Sequence, residues 1–116
     1  MKGIDIALEI WKRKEKVFKN YKQIAKKIKS CAKKILRDKN VKVLVFGSVV
    51  KGNYNPLSDL DILIISEKCD KIKYGEFVNK IKKTIKKDLI GVEFHLATPK
   101  IFEKWYKRFI DEYYEI

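Results

Sequence analysis

Residues 41–66 constrain the fold of this chain more than any other stretch of its sequence. Two short apolar runs, 41–46 and 60–65, are rich in valine, isoleucine and leucine, and turn-forming residues bound each of them. At this length and composition, such runs favour buried strands over helices. The stretch therefore predicts a strand, a turn at Gly47-Ser48, a polar loop and a second strand.

Two aspartates, Asp59 and Asp61, stand at the start of the second predicted strand. Because successive side chains of a strand alternate between its faces, we expect both carboxylates on the same side. Two neighbouring carboxylates repel each other and are costly to bury without a cation between them. A divalent metal ion is the simplest partner for such a pair.

A Gly-Ser dipeptide, ten intervening residues and the tripeptide Asp59-Leu60-Asp61 together resemble the signature of the nucleotidyltransferase superfamily related to DNA polymerase beta. The chain is most similar to the minimal nucleotidyltransferases of that superfamily, which are the antitoxin partners of HEPN-domain toxins. The resemblance covers residues 41–100. It implies a nucleotidyltransferase fold of the α/β (α+β) class, in which helices pack mainly on one face of a small mixed sheet and the metal site lies on the other.

The resemblance also implies a magnesium-dependent transfer of a nucleoside monophosphate, with AMP from ATP as the expected case. Two Mg²⁺ ions held by carboxylates can clamp the attacking and leaving oxygens of such a reaction. Asp59 and Asp61 are the first predicted ligands, and the family places a third carboxylate on a neighbouring strand. Glu93, inside the apolar run 90–97, is the acid in this chain that suits the third position. These three residues form the predicted catalytic and metal-binding set.

The turn and loop after the first strand form the predicted nucleotide-binding part. Gly47 lets the backbone approach a ligand closely, and Ser48 offers a hydroxyl and an N–H group to triphosphate oxygens at the start of a short helix. Related enzymes carry a basic residue near the triphosphate in this loop, so Lys51 is either a phosphate contact or an exposed loop lysine. Ser58 either caps the turn or orients the aspartate that follows it.

Residues 1–40 are the predicted basic helical region. Their apolar residues keep a helical spacing, which predicts either one long N-terminal helix or two shorter ones. Between residues 12 and 39 the chain carries 13 Lys/Arg and two acids, and this segment dominates the formal net charge of +13. A lysine run of this kind is typical of a solvated helix face, and a lysine-rich composition is also typical of thermophilic proteins. It equally suits attraction of a nucleoside triphosphate and an acidic partner protein, or contact with RNA phosphates, although nucleic acid is not the favoured partner.

The second half of the chain predicts a helix over 72–87, a third strand over 90–97 and a last helix over 100–116. His95, the only histidine, lies two residues beyond Glu93 and hence on the same strand face. Its role is either beside the metal ions or that of a hydrogen-bonded structural residue. Three tyrosines of the last helix are surplus to the core and are candidates for a protein interface: Tyr106, Tyr113 and Tyr114.

A length of 116 residues predicts one domain, divided into the basic helical region, a catalytic core over 41–100 and the C-terminal helix over 100–116. Cys31 and Cys69 lack metal-type spacing and are interpreted as reduced core residues of a cytoplasmic protein. No apolar run approaches the length of a membrane span, so no membrane partner is expected.

A core of this size leaves no room for the extra domains with which larger relatives hold their acceptors. We therefore expect the acceptor on a partner, and the resemblance implies a tyrosine hydroxyl of a HEPN-domain toxin. Two other functions stay open. One is a non-catalytic antitoxin, or an RNA- or protein-binding module, that neutralises its partner stoichiometrically. The other is transfer to a small molecule or to an RNA end.

Overall fold

The computed structural model describes residues 3–116. Its centre is a four-stranded sheet made of β1 (Lys42–Phe46), β2 (Leu60–Ile65), β3 (Val92–Ala97) and β4 (Tyr113–Glu115). The order across the sheet is β3-β2-β1-β4. Strand β1 is antiparallel to both β2 and β4, while β2 and β3 run parallel. The predicted small mixed sheet of the α/β class is confirmed.

Five α-helices and two short 3-10 helices accompany the sheet in the described part of the chain. The α-helices are α1 (Gly3–Lys19), α2 (Tyr21–Leu36), α3 (Ser48–Lys51), α4 (Tyr74–Thr84) and α5 (Pro99–Lys104). The 3-10 helices span Glu67–Lys71 and Tyr106–Arg108. Within residues 3–116, no helix combines the length and the apolar character needed to cross a membrane.

The N-terminal helical region consists of two helices, which settles the choice that the sequence left open. The break lies at Asn20, whose side-chain amide donates a hydrogen bond of 2.8 Å to the carbonyl of Lys16. A continuous helix would offer that carbonyl to the backbone N–H of Asn20. The backbone N–H of Asn20 instead bonds the carbonyl of Val17 at 3.1 Å, which tightens the last turn and ends α1.

Alternation along the strands divides the sheet into two faces. On the first face, Leu60, Ile62 and Ile64 are fully buried in the main core, to which α1, α2 and α4 contribute. On the second face, Asp61 opens a row that continues with the buried Leu63 and Ile65. The long helices thus cover one face of the sheet, and the motif aspartate of β2 lies on the other, as predicted.

A smaller core covers the second face beyond the aspartate. It combines Leu44, Leu63 and Ile65 of the strands with Phe102 of α5 and Ile110 after the second 3-10 helix. This C-terminal segment therefore packs across the second face of the sheet.

The predicted C-terminal helix over 100–116 is wrong. Helix α5 ends at Lys104, and the chain continues through the 3-10 helix to β4, in which Tyr114 pairs with Val45 of β1. Without β4, the outer edge of β1 would leave its backbone N–H and C=O groups without strand partners. Adjacent tyrosines suit a strand, so completing this edge outweighs the helical spacing of the aromatic residues.

Candidate metal and nucleotide site

Asp61, Glu93 and His95 converge on the second face of the sheet. The parallel pairing of β2 with β3 places Asp61 directly opposite Glu93, and His95 follows two residues later on the same face. Each residue offers one ligand atom, and these atoms all lie within 4.8 Å of one another. His95 Nε2 lies 3.1 Å from Asp61 Oδ1 and 3.9 Å from Glu93 Oε1. We call these residues the Asp61–Glu93–His95 cluster.

The surroundings of the cluster hold the imidazole in place. The His95 ring lies between two aromatic rings, with centroids 5.3 Å from Phe46 and 5.9 Å from Tyr106. The side chains of His95 and Asp61 are each 22% exposed, whereas Glu93 is 52% exposed. The cluster is thus firmly packed on one side and open to solvent at Glu93.

Tyr106 closes one side of the cluster as a neutral phenol. Partial burial raises the pKa of its hydroxyl, and the negative charge of Glu93 adds to the rise. The hydroxyl therefore keeps its proton at neutral pH and is available as a hydrogen-bond donor.

Gly47 lies so close to the cluster that any side chain there would strain the backbone and displace Asp61. Its φ of +88° is in the region that favours glycine, and a Cβ atom built there would lie 2.5 Å from Asp61 Oδ2. The close contact between the turn and the carboxylate explains why the glycine and the aspartate occur together. It also places the N-terminus of α3, which begins at Ser48, beside Asp61.

Lys51 ends α3 and is bound to the C-terminal segment. Its Nζ lies 3.1 Å from Asp111 Oδ1 and donates a hydrogen bond of 3.3 Å to Oδ2. This hydrogen bond lowers the pKa of Asp111 below its ordinary value. Since both side chains are exposed, this ion pair contributes little to the stability of the fold.

Asp59 lies outside the Asp61–Glu93–His95 cluster, immediately before β2 begins. Half of its side chain is exposed, and Oδ1 lies 4.0 Å from Nζ of Lys14 in α1. Ser58 caps the preceding turn, because its Oγ accepts a hydrogen bond of 2.9 Å from the N–H of Asn55. The structure therefore brings Asp61 and Glu93 together, while Asp59 is held separately at the rim.

The donor set of the cluster suits a divalent cation. Carboxylate oxygens are the ligands that suit Mg²⁺ and Mn²⁺, and an imidazole nitrogen suits Zn²⁺. Among residues 3–116, no Lys or Arg nitrogen lies within 4.0 Å of a carboxylate oxygen of Asp61 or Glu93. Two carboxylates that share a site repel each other, and a bound cation would stabilise them.

The sequence alone did not predict the contacts that His95 and Lys14 make. The spacing from Glu93 placed His95 on the correct strand face, but its contact with Asp61 depends on the alignment of two strands. Lys14 carried no distinguishing signal among so many lysines, since its role arises from packing of α1 against a distant loop.

Comparison with known proteins agrees with the fold and identifies relatives of this chain. The family model described as "Nucleotidyltransferase domain" matches residues 22–116. A protein of Methanocaldococcus jannaschii named "putative protein adenylyltransferase" is 34% identical over 93 residues, which cover 78% of this chain and 88% of the relative. A crystal structure described as that of a "putative nucleotidyltransferase" superposes with a TM-score of 0.58 at 32% identity, covering 84% of this chain and 98% of the other.

Proposed function

Because this chain belongs to the nucleotidyltransferase domain family, we propose that it transfers AMP from ATP to a tyrosine hydroxyl of a partner protein, a HEPN-domain toxin, and thereby acts as an antitoxin. The observation that carries the proposal is the convergence of Asp61, Glu93 and His95 beside the glycine turn. The name of the M. jannaschii relative supports a protein as the acceptor.

The reaction exchanges one phosphorus–oxygen bond for another. The tyrosine oxygen bonds to the α-phosphorus of ATP, the bond from that phosphorus to the bridging oxygen of the β-phosphate breaks, and pyrophosphate leaves. Two bound Mg²⁺ ions would supply charge stabilisation at the attacking and leaving oxygens. Asp61 and Glu93 would hold the ions together with Asp59, and Glu93, the most open member of the cluster, is the candidate to accept the phenol proton.

The turn at Gly47 is suited to hold the triphosphate. Its backbone lies against Asp61, so a phosphate bound at the start of α3 would lie next to the carboxylate. Ser48 contributes its hydroxyl and backbone N–H there, and Lys51 reaches a phosphate oxygen after releasing Asp111.

Exposed aromatic side chains beside the cluster favour a protein acceptor. Trp105 is 63% exposed and Phe109 is 54% exposed, with their ring centroids 6.0 Å apart. Phe109 also packs against Tyr106, which contacts His95. An exposed aromatic patch of this kind is typical of protein interfaces, and this one leads directly to the site.

The decisive test is intact-mass spectrometry of this protein with the product of its neighbouring gene, Mg²⁺ and each of the four nucleoside triphosphates. We expect the partner to gain AMP in the presence of ATP, and peptide mapping to place it on a tyrosine. Asp61→Asn should slow the transfer by at least about a hundredfold. Asp70→Asn, which changes an exposed acid of the first 3-10 helix, is the matched control and should transfer normally.

A stable complex without any mass gain would contradict catalysis and favour stoichiometric neutralisation. That alternative also predicts that a variant with both Asp59→Asn and Asp61→Asn still neutralises the partner. A mass gain on an added RNA or on a small molecule would retain the transferase and replace its acceptor.

Nucleic-acid binding is a second candidate function, which one groove favours. The groove, of about 510 Å³, lies between α2 and the end of α4, and four lysines line it without any acid: Lys26, Lys27, Lys86 and Lys87. Uncompensated lysines in a concave surface suit a phosphate backbone. If RNA binds there, its affinity must fall steeply with added salt, and changing the four lysines to glutamine must remove it. Binding that ignores salt would exclude this function.

A further inference from the structure

Lys14 differs from the exposed lysines on either side of it in α1. Only 12% of its side chain is exposed, whereas Lys12 and Lys16 both face solvent. An ammonium group is costly to bury unless polar partners compensate it. The partners of Lys14 are therefore informative about its role.

Three groups surround the Lys14 ammonium, and two of them belong to the segment that carries Asp59. Nζ donates a hydrogen bond of 2.9 Å to the backbone carbonyl of Pro56. It also lies 4.0 Å from Asp59 Oδ1 and 5.7 Å from the centroid of the Phe18 ring. The ammonium thus joins α1 to both ends of a four-residue segment.

The absence of a side chain at Gly91 leaves room for the stem of Lys14. Gly91 has a φ of +79°, and a Cβ atom there would lie 3.0 Å from Cε of Lys14 and 3.2 Å from Cε1 of Phe18. The carbonyl of Gly91 accepts a hydrogen bond of 2.7 Å from the N–H of Leu60, the residue after Asp59. The lysine stem therefore packs against the same residue that anchors the start of β2.

Aromatic packing holds the rest of this loop against α1. Tyr54 lies against two rings of the helix, with centroids 6.3 Å from Trp11 and 5.2 Å from Phe18. The loop also closes on itself, because Asn55 Oδ1 accepts a hydrogen bond of 2.8 Å from the N–H of Leu57. Lys14 therefore holds a loop that aromatic packing and an internal hydrogen bond already order.

We infer that Lys14 is a positioning residue, whose ammonium fixes the loop so that Asp59 completes the divalent-cation site begun by Asp61 and Glu93. The inference rests on the proposed function, since it assumes a metal ion there. Helix α1, which carries Lys14, lies outside residues 22–116, which the family model matches.

The test measures binding of Mn²⁺ alone by electron paramagnetic resonance, without nucleotide or partner. Lys14→Met keeps most of the apolar stem and removes the ammonium. We expect Mn²⁺ to bind about tenfold more weakly, the size of effect typical of residues that orient metal ligands. The sign is diagnostic, because removing a positive charge near a carboxylate would by itself tighten metal binding. Unchanged or tighter binding would overturn the inference.

Three further variants separate the possible causes. Lys12→Met, on the same helix and exposed, should bind Mn²⁺ like the wild type, and Lys14→Arg should restore most of the affinity. Asp59→Asn should weaken binding at least as much as Lys14→Met. If Asp59→Asn weakens binding while Lys14→Met does not, the role of Lys14 is overturned and the metal site stands. If neither does, Asp59 is no ligand and the ligand set of the proposed function fails too.

If Lys14→Met does not fold, a milder variant still tests the inference. Lys14→Gln keeps a donor for the Pro56 carbonyl and lacks the charge, so it is a milder change of the same contact. Weaker Mn²⁺ binding by a folded Lys14→Gln supports the inference, and wild-type binding contradicts it.

Discussion

Asp59 and Asp61 belong to one short motif, yet the structure holds them by different means. Asp61 lies within β2, opposite Glu93 and in contact with His95, so the alignment of two strands fixes its position. Asp59 lies before the strand, and contacts from α1 support the loop that carries it. One motif thus combines a position set by the sheet with a position set by tertiary packing.

The difference has a consequence for how each side chain tolerates change. A side chain inside a packed sheet cannot shift without moving its neighbours, whereas a loop residue has lower local stability and can adapt. Asp61 is therefore expected to be sensitive to small changes in its own geometry. Asp59 is expected to be sensitive to changes in α1.

Lengthening each carboxylate by one methylene tests this contrast most strongly. Asp61→Glu should lower the transfer rate about a hundredfold, because a misplacement of about 1 Å at a packed site has that effect. Asp59→Glu should lower it about tenfold or less, since the loop can move to compensate. The measurement is initial rates of AMP transfer to the partner at saturating ATP. Equal losses would mean that both positions are equally rigid.

Gly47→Ala should disrupt the close contact between the turn at Gly47 and the carboxylate of Asp61. The new Cβ would overlap the carboxylate, and alanine would have to adopt a positive φ. We therefore expect the free energy of unfolding to fall by about 3 kcal/mol and the rate of transfer to be strongly reduced. Gly52→Ala is the control, because it has a similar φ of +79° with no atom within 4 Å of its Cβ.

Gly52→Ala should lower the free energy of unfolding by only about 1 kcal/mol, because it introduces backbone strain alone. Urea denaturation followed by circular dichroism measures both variants. If Gly47→Ala costs no more than Gly52→Ala, the contact with Asp61 is not a constraint.

Tyr54→Ala should loosen the loop before Asp59 and spare Asp61. The lost packing against Trp11 and Phe18 is expected to lower the free energy of unfolding by about 2 kcal/mol. Hydrogen exchange should increase at residues 54–59 and stay unchanged at β2 and β3. Increased exchange across both strands would instead show that the loop and the sheet unfold as one unit.

The smallest expected effect concerns the attachment of α1. Arg13 binds Asp88 through two hydrogen bonds, of 2.8 Å and 3.0 Å, and hydrogen bonding to Arg13 lowers the pKa of Asp88. A carboxyl with a lowered pKa stabilises the fold above its ordinary pKa, and the stabilisation disappears as the pH falls through the lowered value.

Arg13→Gln should therefore lower the melting temperature by about 2 °C at pH 7, with the two proteins becoming alike in acid below the usual aspartate range. The comparison requires calorimetry across several pH values. A difference that persists in acid would show that Arg13 acts through packing of its stem.

Local pattern was sufficient for the strands that carry the site, because apolar runs predicted the segments that hold Asp61 and Glu93. The choice of Glu93 as the third carboxylate came from the family resemblance, and its position opposite Asp61 is set by the pairing of β2 with β3. The C-terminal strand escaped prediction because its cause is the open edge of β1, far away in sequence. Lys14 escaped for a similar reason, since its burial depends on a loop 42 residues further along.

If the proposed function is correct, the close approach of Gly47 to Asp61 should couple two binding equilibria. With so little space between them, a shift of the turn that would receive the triphosphate is expected to affect the carboxylate that would receive the cation. Each ligand should then bind to a protein that the other has already ordered, so each increases the affinity of the other by the same factor. The nucleotide and its metal would thus arrive as a thermodynamically cooperative pair, even though their binding groups come from different ends of the motif.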